Sequence, residues 1–453
     1  MGVNASRNVA VIGAGPAGIF AARELANNNH KVTIINRDIK PGGLAEYGIY
    51  PTKQKIKDGL RKQFYSILSH ENVSYFGNLV VGDNADVTLQ ELRDIGFDAF
   101  LVTTGAQGTK WLGLPGEELK GSYHAKDLVY HFNQLPPYSN KEFSIGKKAA
   151  IIGVGNVMMD IARYLITEKH VEVVTAIARR GPAELKFTRK ELEYVVKNVD
   201  MDDYLKEIDR VTPLMTSLGQ DPYESVKFIR DAFPNAEETN SKSIFRIKFL
   251  ASPVKLVGNE KGELISLEVE ENTLVVENES IKARGTGKKF NMDVDTIIFA
   301  IGDTVDPEFG LPFDRNEFVK NPKPRFPING ISFESFDPIS LKIIEDVFLA
   351  GWARKASDGL VGNARKDGVN AAQVIDLYFE SLETSRNGDV ETINTYLQNK
   401  HPQVINKNDL NILIIEENKI AVEKKVENFK FSTNEEMISI IRQNQELIHQ
   451  SGG

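Results

Sequence analysis

The sequence predicts an α/β chain built on two similar strand–turn–helix–strand units, one set inside the other. Two glycine-rich turns carry that expectation, Gly13-Ala-Gly15-Pro-Ala-Gly18 and Gly153-Val-Gly155-Asn-Val-Met158, each placed between an apolar run and a helical pattern. The third observation is a pair of apolar runs ending in glycine, Phe97–Gly105 and Asp293–Gly302, which bracket the second unit with a repeated design. A chain of 453 residues has length for about two or three domains and a sizeable core.

Asn8–Ile12 reads as a buried strand, Ile19 to about Asn27 as a helix, and Lys31–Ile35 as the next strand. Gly13 permits the tight turn, Gly15 lets backbone approach a pyrophosphate, and Gly18 lets helix and strand pack closely. The N–H groups at the helix start then face the phosphates. The order strand, turn, helix, strand makes this a Rossmann-like dinucleotide fingerprint. An acid normally ends the second strand and holds a ribose; here Asn36 stands there, with Asp38 two residues on. An amide bonds a hydroxyl more weakly than a carboxylate does.

The second unit repeats the order, with a strand at Lys148–Ile152, a helix from Met159 to Ile166 and a strand at Val171–Ile177. Met158 occupies the third position, where glycine or alanine is usual, and is expected to push helix and strand apart. The last strand ends in Ala178-Arg179-Arg180-Gly181, with no acid. Paired guanidiniums chelate a 2′-phosphate that an acid would repel, so this site favours NADP over NAD. The other reading of Arg179 and Arg180 is a solvated basic turn. Two nucleotide sites with different ribose ends point to two different nucleotides, and hydride transfer between cofactors is the natural use of both.

Composition narrows the chemistry. The chain has no cysteine, which removes disulfides, cysteine-ligated clusters and dithiol catalysis. Its seven histidines show no metal-ligand spacing, so no metal is expected. With 55 Lys and Arg against 63 Asp and Glu, net charge is −8, which argues against bulk affinity for nucleic acid. No run of 18 apolar residues is present, so no membrane span is expected, and a cytoplasmic enzyme is the default reading.

Several stretches, in matching order over most of the chain, resemble the adrenodoxin-reductase-like ferredoxin–NADP reductases. These are Gly42-Gly43-Leu44-Ala-Glu-Tyr-Gly48-Ile-Tyr-Pro51, Leu114–Glu117, Gly153–Asp160, Arg179–Pro182 with Phe187, Thr188, Glu191 and Leu192, and Phe348–Gly368. Phe429–Met437 is a looser echo of the family's C-terminus. In the last long stretch Gly351 is followed by Trp352, where most two-domain flavoproteins have Gly-Asp.

The resemblance implies a discontinuous FAD-binding domain, 1–106 and 306–453, with an NADP-binding domain, 107–305, inserted in it. Residues 384–453 are expected to be a peripheral cap or tail. It implies FAD contacts at Ala17, Gly43, Leu44 and Val81, with Asn36 at the strand end, in addition to Gly13, Gly15 and Gly18. Trp352 would lie beside the isoalloxazine, Gly359, Leu360 and Val361 would present backbone to the flavin, and a helix starting near Asp367 would lie beneath its pyrimidine end. For NADP the resemblance implies Asn156 and Val157 at the pyrophosphate, beside Gly153 and Gly155. Arg179 and Arg180 would meet the 2′-phosphate and Glu191 the nicotinamide-side half. Lys53 stands where the family usually has histidine, and no side chain is assigned as a catalytic acid or base.

The expected activity is transfer of electrons from NADPH through FAD to a one-electron carrier such as ferredoxin, an adrenodoxin-type protein or flavodoxin. Lys53, Lys57 and Arg61 would share a helix face. That face is either a patch that steers an acidic carrier or a plain solvated surface. Arg354, Lys355, Arg365 and Lys366 either extend the patch or contact phosphates. Two other readings stay open: an electron-transfer subunit like the small subunit of glutamate synthase, whose usual cysteine-rich N-terminal domain has no counterpart here, and a non-catalytic NADPH sensor or scaffold.

Overall fold

The apolar run Asn8–Ile12 forms β1, buried at every position. Pro16 at the helix start has the φ a first turn needs, and α1 runs Pro16–Asn27 with an inner face of Ala17, Ile19, Phe20, Ala21, Leu25 and neighbours. The computed structural model describes residues 6–357, 359–386 and 388–451. The chain continues through β2 (Lys31–Ile35), the one-turn helix α2 (Leu44–Tyr47), α3 (Gln54–Leu68), β3 (Val73–Phe76) and β4 (Ala99–Val102). It then builds β5 (Ser122–His124), β6 (Lys148–Ile152), α4 (Asn156–Thr167), β7 (Val173–Ile177) and β8 (Ile244–Lys248). Next come β9 (Ala251–Gly258), β10 (Leu264–Glu277), β11 (Ser280–Asp293) and β12 (Thr296–Phe299). The return adds β13 (Glu334–Asp337), β14 (Lys342–Leu349), α5 (Val361–Glu380), α6 (Val390–Gln398), α7 (Lys407–Glu423) and α8 (Asn434–Ser451).

These elements form two compact units. One comprises Met1–Thr109, Tyr130–Asn140 and Gly302–Gly453; the other comprises Lys110–Val129 and Lys141–Ile301. The first unit holds a six-stranded sheet in the order β13-β14-β4-β1-β2-β3, parallel apart from β13. The second holds a parallel five-stranded sheet in the order β5-β12-β6-β7-β8 and an antiparallel sheet β9-β10-β11. Both sheets are Rossmann-like, as the fold-class expectation requires, and one face of the second packs on β9-β10-β11. The short stretch Tyr130–Asn140 sits with the first unit, a placement not expected from its position in the sequence.

Two local expectations are corrected. Helix α5 begins at Val361, six residues ahead of the anticipated Asp367. Its first turns, Val361-Gly-Asn-Ala-Arg-Lys366, carry little apolar patterning and so read as loop. The segment from Thr384 onward is not a peripheral tail: it contributes α6, α7 and α8. Leu413, Met437, Ile438 and Ile441 share a core cluster with Ile39 from the loop after β2.

Close backbone approach sets the seat of α1. A Cβ on Gly368 of α5 would stand 2.1 Å from the Ala17 carbonyl oxygen, and one on Gly351 would stand 2.9 Å from the Ala17 Cβ. Gly368→Ala is therefore expected to destabilise the protein by about 2 kcal/mol, because overpacking outweighs the better helix propensity of alanine. Gly362→Ala, in the first turn of the same helix with no atom within 4 Å of the new Cβ, is expected to leave stability unchanged or raise it by up to about 1 kcal/mol. Urea denaturation of both variants measures the contrast.

Candidate dinucleotide sites

In the first unit Gly13 has φ +106°, and a Cβ there would lie 2.6 Å from the Thr103 carbonyl oxygen at the end of β4. A Cβ on Gly18 would lie 2.2 Å from the Gly13 oxygen, whereas one on Gly15 would meet nothing within 4 Å. The first and third glycines are thus packing requirements, and the second faces open space. Gly15 is the N-cap of α1, with no side-chain cap and no acid in the first turn. By contrast α6 and α7 are capped by Asp389 and Asn406, with Glu391 and Asp409 in their first turns. The start of α1 is therefore left open for an anion.

The other residues expected around this turn are joined to it. The Gly42 N–H donates to the Ala14 oxygen at 2.7 Å, and a Cβ on Gly43 would stand 3.1 Å from the Gly15 Cα. Leu44 is half-buried against Tyr47, Tyr130, Leu135 and Tyr138. Val81 is 7% exposed and follows Leu79, whose N–H donates to the Asn36 oxygen at 3.0 Å. Gly351 has φ +65°, and its N–H donates to Asp367 Oδ2 at 2.7 Å. Trp352 lies half-buried in the short turn Gly351–Ala353. Gly359 has φ +75°, Leu360 is 71% exposed and Val361 opens α5.

Asn36 behaves differently from a ribose-binding acid. Its Oδ1 accepts the Ala14 N–H at 2.9 Å, and its Nδ2 donates to the Asp38 oxygen at 2.8 Å and the Lys40 oxygen at 3.2 Å. The amide is spent on tying the end of β2 to the glycine turn. Asn36→Asp keeps the acceptor but removes both donors and faces a carboxylate with two carbonyl oxygens. It is expected to lower stability by about 1–3 kcal/mol, read from a denaturant midpoint at pH 7.

The second unit repeats the geometry. Gly153 has φ +125°, a Cβ there would lie 2.3 Å from the Ala300 oxygen, and Gly155 again faces open space. Gly155 caps α4 without a side-chain hydrogen bond or a first-turn acid, and the helix starts at Asn156, three residues before the expected Met159. Met158 is fully buried, so this helix start admits a side chain that the first unit excludes at Gly18. Val157 is 43% exposed beside it. Asn156 Oδ1 accepts the Thr188 N–H at 2.9 Å, and Thr188 in turn caps the turn that carries Glu191. Arg179 and Arg180 follow β7: Arg179 is exposed, and Arg180 pairs with Glu184 at 3.1 Å.

The expected cationic face of α3 is largely inward. Lys57 is 1% exposed and donates to Asn133 Oδ1 at 2.5 Å. Arg61 makes two 2.7 Å hydrogen bonds to Glu46, which is itself buried. Arg354 is held by Asp367 at 3.0 and 2.6 Å, leaving Arg365 and Lys366 exposed. No local signal marks this inversion, because the partner of Lys57, Asn133, lies 76 residues away and that of Arg61, Glu46, lies on another helix.

Comparison with known proteins adds the family. The profile described as "Pyridine nucleotide-disulphide oxidoreductase" matches residues 7–203. NADPH-ferredoxin reductase FprA of Mycobacterium leprae is 27% identical over 406 residues, covering 83% of this chain and 84% of that protein. The mitochondrial NADPH:adrenodoxin oxidoreductase of Arabidopsis thaliana is 29% identical over 389 residues, 78% of each. Along most of its length the chain is thus similar to NADPH-ferredoxin and NADPH:adrenodoxin reductases. The solved structure of Mycobacterium tuberculosis FprA in complex with NADPH shares its fold, with a TM-score of 0.80 at 23% identity over 96% of this chain and 99% of that one. The disulfide chemistry named in that profile has no counterpart in this chain, which has no cysteine.

Burial acts on the charges behind α2. It draws the Lys57 amine down to about 7, with the Lys430 charge adding to the effect, and draws Lys430 down to about 8 against the pull of Glu46. Burial would raise Glu46, but the Arg61 hydrogen bond and the charges of Lys430 and Lys40 hold it well below the usual carboxylate range. For Lys57 the folded value lies below the unfolded one, near 10.5. Between about 7 and 10.5 the unfolded chain binds the proton that the folded chain has shed, so stability rises with pH across that window. Lys57→Met is expected to flatten that rise and to stabilise the protein most below pH 7, measured as denaturant midpoints from pH 6 to 10 (about one pH unit apart).

Proposed function

We propose that the chain is an NADPH-dependent flavoprotein reductase that passes electrons from NADPH through FAD to a one-electron carrier such as ferredoxin, an adrenodoxin-type protein or flavodoxin. The observation that carries this reading is the pair of uncapped glycine turns, only one of which ends in adjacent arginines. FAD is assigned to the first unit and NADPH to the second.

The residues fit these groups. At both turns the second glycine leaves room where a pyrophosphate needs it, and the helix start offers N–H donors to it. Bound FAD supplies hydride acceptance and one-electron delivery. The chain's own part is to hold and orient. Ala17, Gly43 and Leu44 line the first seat, and Val81 stands at its adenosine end. Trp352 and the Gly359–Val361 backbone form the clasp at its flavin end. In the second unit Asn156 and Val157 flank the pyrophosphate, and Glu191 stands toward the nicotinamide half. Arg179, exposed and without an ion pair among the described residues, is the stronger 2′-phosphate ligand; Arg180 shares its charge with Glu184. A carrier of acidic surface would be met in the first unit by Arg365, Lys366, Lys55 and Lys62, which are exposed, and not by Lys57 or Arg61. The relatives' names support such a carrier, since they are reductases of ferredoxin and adrenodoxin.

The purified protein is expected to be yellow and to bleach when NADPH is added without oxygen. A colourless protein, or a yellow one that NADPH leaves unchanged, defeats the reading. Arg179→Ala is expected to cost about 10- to 100-fold in kcat/KM with NADPH and little with NADH, with a smaller loss for Arg180→Ala. Unchanged preference for NADPH in the double variant would remove the phosphate assignment.

A further inference from the structure

Helix α2 has four residues, too few to hold its own shape in isolation. Yet it follows Gly42 and Gly43, the residues that touch the glycine turn at Ala14 and Gly15. What fixes it is charge. Glu46 on α2 takes two hydrogen bonds from Arg61 and one ion pair, at 2.5 Å, from Lys430, in the segment between α7 and α8. Lys430 also donates to the Asn133 carbonyl oxygen at 3.2 Å and stands 4.9 Å from the centre of the Tyr47 ring. Both Lys430 and Glu46 are at most 8% exposed.

The groups that act on Lys430 are Lys40 after β2, Glu46 and Tyr47 on α2, and Lys57 and Arg61 on α3, while Glu417 on α7 and Tyr65 on α3 act on Lys40 beside it. Lys40 pairs with Glu417. Four cations, Lys40, Lys57, Arg61 and Lys430, thus face two buried carboxylates, Glu46 and Glu417, an excess of two positive charges when all are ionised. Asp58 also touches Arg61, from a position half exposed to water. Apolar side chains would serve a purely structural core here at least as well, because burying ions costs more than their pairing returns unless the geometry is put to use. The use lies one helical turn away, at the glycine loop.

We propose that Lys430 is a positioning residue of the first dinucleotide site: through Glu46 and Asn133 it seats α2, and with it Gly42 and Gly43, against the glycine turn. The C-terminal strap Phe429–Phe431 is therefore part of that site. The inference rests on FAD occupying the first unit. Reduction adds negative charge to the cofactor, so removing a cation from behind α2 is expected to disfavour the reduced form.

The experiment measures the FAD dissociation constant of deflavinated protein and the midpoint potential of the reconstituted protein. Wild type is compared with Lys430→Met, Lys430→Arg and Asp346→Asn. Asp346, in the middle of β14, is buried and pairs with Arg93 and Arg386, partners outside the Glu46 cluster, and so controls for lost stability alone. Lys430→Met is expected to weaken FAD binding about tenfold and to shift the potential to a more negative value, and Lys430→Arg to restore both toward wild type. Asp346→Asn is expected to lower the melting temperature while leaving the FAD constant within about twofold. The inference is overturned if Lys430→Met binds FAD and sets its potential as wild type does, or if Asp346→Asn weakens FAD equally. A wild-type protein that takes up no FAD defeats the assignment of the cofactor instead, and the two failures are told apart by the wild-type measurement alone.

Discussion

The first unit depends on how closely backbone can approach the start of α1. Gly13 lies against Thr103, Gly18 against Gly13, and Ala17 between Gly351 and Gly368. Every one of these contacts is too short for a side chain on the glycine. They join β1, β4, the end of β14 and α5 at one point, so the uncapped start of α1 and the turn at Trp352 are set by the same packing. A change at Gly368, on α5, is therefore felt at the dinucleotide turn, because interiors packed this densely transmit displacement.

The second unit shows what part of that constraint is general. Gly153 meets Ala300 as Gly13 meets Thr103, so the tight turn against the neighbouring strand end is common to both. Close approach at the third position is not. Met158 fills it and is fully buried, and the helix start still remains uncapped and free of acids. What the two turns share is the open second glycine and the bare helix end. The third glycine matters where the helix closes directly on its own turn and strands, as Gly18 does on Gly13, Thr103 and Val11.

Much of this was legible in the sequence because it is local. The two fingerprints, their flanking strands and the arginines after β7 lie within short windows whose patterns report backbone conformation directly. The residues that surround each turn, from Gly43 to Trp352, were reached through family resemblance rather than through spacing, since nothing local ties Gly351 to Ala17. The misreadings have the same origin. Lys57 and Arg61 share a helix face as expected, but an amphipathic pattern does not say which face is buried when its polar residues find buried partners. Their partners, Asn133 and Glu46, and beyond them Lys430, come from separate parts of the chain. The helices after Thr384 were hidden for a related reason: their polar composition suggested a tail, while their apolar residues close on Ile39 in another segment.

Asn36 brings these two kinds of information together. By position it is a ribose-binding residue, and by chemistry a poor one. The structure resolves the conflict by giving its amide both donor and acceptor work, linking Ala14, Asp38 and Lys40. A carboxylate could not make that knot, since it has no N–H to offer the two carbonyls. The loop that starts at this knot runs through Lys40 to Gly42 and Gly43, and Lys40 pairs with Glu417 on α7. The amide at the strand end and the buried ions behind α2 are thus two ends of one loop. Where the dinucleotide pattern has an acid, this chain has a backbone tie at Asn36, and the loop it anchors is held further on by the pair of Lys40 with Glu417 on α7.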